Sequence, residues 1–198
     1  MAIKIDLEKA YDCLEWSFIR DTLALFKFPS QLVSLIMSCV STSSISVLNN
    51  GSAFKPFLPS RGIRQGDPLS PYLFILCMEV LGAPITEKCD AKLWDAFKAL
   101  QGGLAFSHLF FADDLILFAK ADVKNCLAMR DVLDLFCSLS GQKVSSTKSR
   151  VFFSPNVSIV TKADLCEILE FRSTLTLGKY LGFPIKTLKP EPRFWVYY

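Results

Sequence analysis

Between Phe106 and Phe118 the chain reads FSHLFFADDLILF, two apolar runs separated by a pair of carboxylates. Leu109–Phe111 and Leu115–Phe118 are short and rich in Phe and Leu, which predicts buried strands rather than helix. Asp113 and Asp114 fall where the chain reverses, so the pattern predicts a tight hairpin with both acids at its tip. Upstream, Ala2–Leu7 alternates as a short strand with Asp6 near its end. Glu15–Phe26 carries Phe18, Ile19, Leu23 and Phe26 at helical spacing. Pro29 breaks that helix, and Ser30 is placed to cap another over Gln31–Val40. Ser44–Leu48 and Ser52–Leu58 flank Asn49-Asn50-Gly51 as a second hairpin.

The middle of the chain begins with a rigid polar loop, Ser60–Pro71 (SRGIRQGDPLSP), which leads into an apolar helix over Leu73–Thr86. Glu87–Gly103 reads as a looser connection, ended by Gly102-Gly103. Asp122–Leu139 predicts an amphipathic helix with Val123, Cys126, Leu127, Leu133, Phe136 and Leu139 on its apolar face. Ser140-Gly141 stops it, and Gln142–Lys148 is a polar connection. A strand over Arg150–Ser154, a helix over Val157–Leu169 and a strand over Lys179–Lys186 follow. No element is assigned to Pro190–Tyr198, which carries Trp195, Tyr197 and Tyr198. This order predicts an α+β domain: a small antiparallel sheet backed by helices on one face, with polar chemistry on the open face.

Composition narrows the class. The 198 residues suffice for one large domain or two small ones, and 51% are hydrophobic, 17 of them Phe. That richness points to a large core or to surface meant to be covered. The most apolar window, Pro71–Ile85, is shorter than the roughly 20 residues a membrane helix needs and contains Glu79, so it reads as a buried helix and no membrane partner is expected. The N-terminus has acids within its first dozen residues and no apolar core, unlike a signal peptide. Seven cysteines without a CxxC pair, and the single His108, argue against zinc and suit reduced thiols inside the cell, in nucleus or cytoplasm, in a protein that is not secreted. His108 reads as a structural strand residue. A net charge of +3 permits a nucleic-acid partner without arguing for one.

Two adjacent carboxylates in an apolar setting repel each other and are costly to desolvate, a difficulty that a divalent cation removes. A solvated turn explains them equally well, since Asp is a common turn residue. Asp6 either joins the pair from a neighbouring strand or pairs locally with Lys4 or Lys9. Three carboxylates in one patch would suit Mg²⁺, which takes a few protein oxygens and completes its shell with water and phosphates.

The pieces IDLEKAYD, RGIRQGDPLSPYLF, FADDLILF, SGQKVSSTKS and KYLGFPI, in that order, resemble the palm of a reverse transcriptase, particularly the LINE-type (non-LTR) retrotransposon enzymes of plants. The likeness spans about residues 1–188. It implies a polymerase palm with a partial fingers segment at about 13–59, and a truncated tail at 189–198 where a thumb would begin. It implies an RNA-directed DNA polymerase that transfers a nucleotide from a dNTP to a primer 3′-hydroxyl on an RNA template, with two Mg²⁺ ions, or Mn²⁺ in their place. Its metal set maps to Asp6, the Leu7 carbonyl, Asp113 and Asp114. Asp113 is the better candidate for direct contact, and Asp114 leans either on the primer end or on the groups that surround the metal's own ligands.

The resemblance also makes Tyr11 the aromatic under the incoming sugar, where a ring would clash with a ribose 2′-hydroxyl. A plain core aromatic is the other reading. Arg64, Gln65 and Gly66 map to the nucleotide-side loop, with Gly66 allowing close backbone approach. Arg61 and Arg64 read equally as phosphate contacts or solvated charges. Lys148 maps to a general acid for the pyrophosphate leaving group, or is a solvated loop lysine. Tyr180, Leu181 and Gly182 map to the hairpin that grips the primer. Most of the fingers and the thumb are expected in missing segments of a longer polyprotein. The alternative expectation is therefore a catalytically inactive remnant that at most binds nucleic acid or a partner. An unrelated Mg²⁺-dependent phosphotransfer domain would explain the acids but not RQGDPLSP or YLGFPI.

Overall fold

The computed structural model describes residues 1–98 and 103–185. Gly102, the 186–188 end of the predicted palm and the tail 189–198 with its aromatics lie outside the described residues.

The chain opens with β1 (Ala2–Ile5), a short α1 (Ala10–Cys13), α2 (Trp16–Leu25) and α3 (Ser30–Ser41). Ser30 does not cap α3. It is the first helical residue, and Pro29 stands at the cap without a side-chain bond. A small hairpin follows, β2 (Leu48–Asn49) and β3 (Ser52–Ala53), turning through Asn50 and Gly51, both at positive φ. It is shorter than its sequence predicted, with one further bridge between Ile45 and Phe57.

The apolar helix α4 (Ser70–Asp90) starts earlier and ends later than its periodicity predicted, running through Pro84. The stretch after it is not wholly loose: β4 (Phe97–Lys98) pairs with β5 (Ala105–Phe106). The acidic hairpin is β6 (His108–Phe111) and β7 (Asp114–Phe118), followed by α5 (Val123–Ser140), β8 (Arg150–Phe152), α6 (Ile159–Leu169) and β9 (Arg172–Thr174). Helix α5 is capped by the Asp122 side chain, which accepts from the Asn125 N–H, and is stopped by Gly141 at φ 77°. The KYLGFPI piece is not one strand. It folds back as β10 (Lys179–Tyr180) and β11 (Phe183–Pro184).

Five strands form the sheet in the order β6-β7-β1-β8-β9, antiparallel except for the parallel pair β8–β9. Its alternation decides which face meets the helices. Ile3, Ile5, Leu115, Leu117 and Val151 are fully buried and pack with α2, α4, α5 and α6 in one core, each contributing about 1.5–3 kcal/mol by burial. Lys4, Asp114 and Arg150 stand at the intervening positions and are only partly covered. The predicted apolar face of α5 needs correction. Cys126, Met129, Val132, Leu133 and Phe136 are buried, whereas Val123, Leu127 and Leu139 are half exposed. Among the described residues no helix is long and apolar enough to cross a membrane.

Candidate active site

The register of the sheet brings the acids to one end of its central strands. Ile5 pairs with Leu115 across the antiparallel β1–β7 ladder, so Asp6 leaves β1 where Asp114 begins β7. Phe111 pairs with Asp114, which leaves Ala112 and Asp113 as the two-residue turn, with Ala112 at φ 50°. Only Asp113 is therefore at the tip. Asp114 is already a strand residue.

Each strand acid meets a lysine. Lys148 Nζ stands 3.7 Å from Asp6 Oδ1, and Lys4 Nζ stands 3.6 Å from Asp114 Oδ1. The local pairing of Asp6 with Lys4 or Lys9 does not form. Lys4, two residues from Asp6 on the same strand, reaches across to β7 instead. Among the described residues no three His, Cys, Asp or Glu side chains form a group that could hold a metal. The three carboxylates are thus neighbours without being a gathered ligand set.

The donor set nonetheless fits a hard cation. Asp6 Oδ1 is buried and has no hydrogen-bond partner among the described residues. The Asp6–Glu8 backbone pairs with 143–145 through two bonds of 2.8 Å, Glu8 N–H to the Lys143 carbonyl and Ser145 N–H to the Asp6 carbonyl. In this wide antiparallel pair the Leu7 carbonyl points away from Val144 and stays uncommitted to the bridge. Carboxylate and carbonyl oxygens are the ligands Mg²⁺ prefers.

A strap from 142 to 149 fixes the acid from behind. The Asp6 N–H donates to Ser149 Oγ at 3.1 Å, and Ser149 is fully buried. Gln142 Nε2 donates to the Ala10 carbonyl at 2.6 Å. That bond holds α1, whose Tyr11 stacks on Phe74 with ring centroids 4.8 Å apart and planes 10° from parallel. Burial raises the Tyr11 hydroxyl pKa, and the nearby Asp113 charge raises it further. The ring and the tip acid therefore share one environment, while Phe74 supplies the packing that a plain core aromatic would have.

The Ser60–Pro71 loop is stitched to the same helix. Gly62 N–H donates to the Leu14 carbonyl at 2.7 Å, Ile63 N–H to the Tyr11 carbonyl at 2.8 Å, and Trp16 Nε1 to the Gly62 carbonyl at 2.7 Å. A Cβ on Gly62 would stand 2.7 Å from the Asp12 carbonyl oxygen. The close backbone contact inside the protein is therefore at Gly62. Gly66 has open space around its Cβ position, and its φ of 85° is what favours glycine there. Arg61 pairs with Glu15 at 3.5 Å. Arg64 and Gln65 are exposed and line a groove of about 630 Å³ with Asp12, Trp16 and Phe57.

On the other side of the acids, Leu181 and Gly182 form the turn of β10–β11, both at positive φ. The Tyr180 hydroxyl pKa is raised by burial and then by the charge of Asp114. Lys148 is mostly exposed. Sequence reasoning missed Lys4, Gln142, Ser149 and Gly62. Only Lys4 left a legible signal, its spacing of two from Asp6 on a strand.

Residues 1–185 match the model of the family described as reverse transcriptase (RNA-dependent DNA polymerase). The chain is 33% identical over 144 residues to the retrovirus-related Pol polyprotein from type-2 retrotransposable element R2DM of Drosophila melanogaster, covering 73% of this chain and 13% of the relative. It is 33% identical over 116 residues to the type-1 retrotransposable element R2 Pol polyprotein of Nasonia vitripennis, covering 59% of this chain and 10% of the relative. The chain thus spans a small part of the length of these relatives. In fold it is similar to telomerase from Candida albicans, solved with a TWJ fragment of telomeric RNA, with TM-score 0.56 and 16% identity over 79% of this chain and 27% of that one. With the motifs in order on a palm-like sheet, the chain belongs to the reverse transcriptase family, on its LINE-type (non-LTR) retrotransposon side.

Proposed function

We propose that this chain carries the nucleotidyl-transfer site of an RNA-directed DNA polymerase, which joins a dNTP to a DNA primer on an RNA template. The observation that supports it most is the meeting of Asp6, whose buried oxygen accepts no hydrogen bond among the described residues, with Asp113 in the turn and Asp114 at the start of β7, at one end of the β1–β7 pair. Asp6, Asp113 and the Leu7 carbonyl are the groups that would hold Mg²⁺, or Mn²⁺. When bound, the ions lower the pKa of the primer hydroxyl and take up charge on the leaving oxygen.

The remaining roles belong to the protein's own side chains. Tyr11, backed by Phe74, presents a ring edge to the sugar and disfavours a 2′-hydroxyl. Arg64 and Gln65, exposed on the loop, meet phosphate and base. Lys148 is free to swing from Asp6 toward the pyrophosphate and give it a proton. Tyr180, Leu181 and Gly182 face the primer strand beside Asp114. The 13–59 segment, with its small hairpin, acts as a partial fingers wall of the groove. The remaining fingers and thumb surfaces belong to a longer polyprotein. All seven cysteines are free thiols, which supports a setting in nucleus or cytoplasm.

One observation favours a second reading, an idle remnant that binds nucleic acid or a partner: lysines already stand against Asp6 and Asp114. Primer extension on an RNA template with dNTPs and Mg²⁺ separates the two. Incorporation that disappears in Asp113→Ala supports the polymerase. No incorporation, either by this chain or by a longer polypeptide containing it, supports the remnant.

A further inference from the structure

Among the described residues the β10–β11 hairpin pairs with no strand of the five-stranded sheet, so its tie to that sheet comes from something other than a ladder. Lys4 lies at the centre of that sheet, between Ile116 of β7 and Arg150 of β8. Its neighbours Ile3 and Ile5 face the helices, so Lys4 projects from the opposite face. From that face its Nζ donates to the Lys179 carbonyl at 2.9 Å and stands 3.6 Å from Asp114 Oδ1. One ammonium therefore touches both the first residue of β10 and the first residue of β7. An ammonium suits this position because it carries three donors on a flexible stem, enough for a carbonyl and a carboxylate together.

A second observation concerns coverage of the same face. Ile116, which shares the Lys4 face, is only 1% exposed, yet it lies outside the core cluster that packs beneath the helices. Leu177, just ahead of the hairpin, is 6% exposed and also lies outside that cluster. Both side chains are therefore covered by something other than that cluster, and Lys4 meets the hairpin from the Ile116 face of the sheet.

We propose that Lys4 is a positioning residue that locks the β10–β11 hairpin to Asp114, so that the primer-side hairpin and the acidic turn keep one fixed geometry. The primer-side part of this inference rests on the polymerase reading above. The locking part does not. Without the ammonium, the hairpin keeps its own ladder and its apolar approach but loses its tie to the strand that carries the acids.

The test uses the full chain with Lys4→Met and Lys4→Arg. Lys4→Gln replaces Lys4→Met if a thermal melt shows that variant unfolded. Hydrogen exchange is read at amides of the hairpin, including the Ile185 N–H that bonds the Gly178 carbonyl, and at the β1–β7 amides as a control. Exchange in 178–185 is expected to rise about tenfold in Lys4→Met, the scale of one charge-assisted hydrogen bond on a partly exposed group. It should stay near wild type in Lys4→Arg, with the control amides unchanged in both. Equal hairpin exchange in wild type and Lys4→Met overturns the inference. In primer extension, Lys4→Met is expected to raise KM for primer–template about tenfold with KM for dNTP unchanged, and an unchanged primer–template KM overturns the positioning role. If neither the wild-type chain nor a longer polypeptide containing it extends a primer, the polymerase reading fails, while the exchange result still decides whether Lys4 locks the hairpin.

Discussion

Lys148 Nζ stands 3.7 Å from an Asp6 oxygen that is buried and accepts no hydrogen bond among the described residues. The lysine is 70% exposed, so the pair contributes little to stability. Its effect falls on whatever cation approaches Asp6. Lys148→Met is expected to change the unfolding free energy by less than about 0.5 kcal/mol, as for exposed ion pairs. It should tighten Mn²⁺ binding several-fold by removing a competing positive charge. Asp6→Asn should weaken binding strongly. Titration of Mn²⁺ by electron paramagnetic resonance reads both, and identical affinity in wild type and Lys148→Met would separate the lysine from the cation site.

The two glycines of the GIRQG loop should respond differently to alanine. Both have positive φ, but only at Gly62 does the added carbon meet backbone, 2.7 Å from the Asp12 carbonyl. Gly62→Ala is expected to cost about 2–4 kcal/mol through strain and displacement of the loop from α1. Gly66→Ala should cost about 1 kcal/mol, from its backbone angle alone. Urea unfolding of the two variants measures the contrast, and equal losses would contradict it.

His108 gives the fold a pH-dependent component. Its ring packs against Phe110 with centroids 4.4 Å apart and planes tilted by 32°, and its Nδ1 lies 2.9 Å from Ser107 Oγ. Burial pushes its pKa below the ordinary 6.5, with Glu79 acting in the opposite direction. The unfolded chain therefore takes up the proton first. Stability should decline as pH falls below about 6.5, and this component levels off once pH passes the lower folded value. His108→Gln should flatten that part of the curve, read from thermal melts between pH 5 and pH 8. An unchanged slope would mean that the carboxylates carry it alone.

The thiols should separate by environment. Burial pushes Cys77 and Cys126 up to about 12, leaving almost no thiolate at neutral pH. Cys39 is exposed. Brief alkylation of the native protein, followed by mass spectrometry, should modify Cys39 first and spare Cys77 and Cys126 until denaturant is added. Early labelling of Cys77 would indicate local opening of α4.

The hairpin and the strand before Asp6 were legible in the sequence because apolar alternation and a turn leave a local record. Other features left none. Strand β9 is polar and short, and its parallel pairing with β8 comes through the intervening α6. On α5 the apolar pattern was wider than the buried face, so Val123, Leu127 and Leu139 read as core although they are half exposed. The loop shows two glycines and no sign of which meets Asp12. At the site, motif order gave the acids, but Ser149 becomes informative only when the fold brings it beside Asp6, and Lys4, though spaced two from Asp6, shows its partner only when the sheet sets it beside Asp114.

The strap from Gln142 to Ser149 makes the site discontinuous in a practical sense. Its bonds to the 6–10 segment join residues 132 and 143 positions apart, Gln142 to Ala10 and Ser149 to Asp6. A first motif transplanted from a distant relative arrives without the buried hydroxyl and amide that hold its backbone. Chimeras should therefore tolerate exchange of both segments together better than of either alone, so the smallest interchangeable part of this chain's acid site is a pair of segments from opposite halves of the sequence.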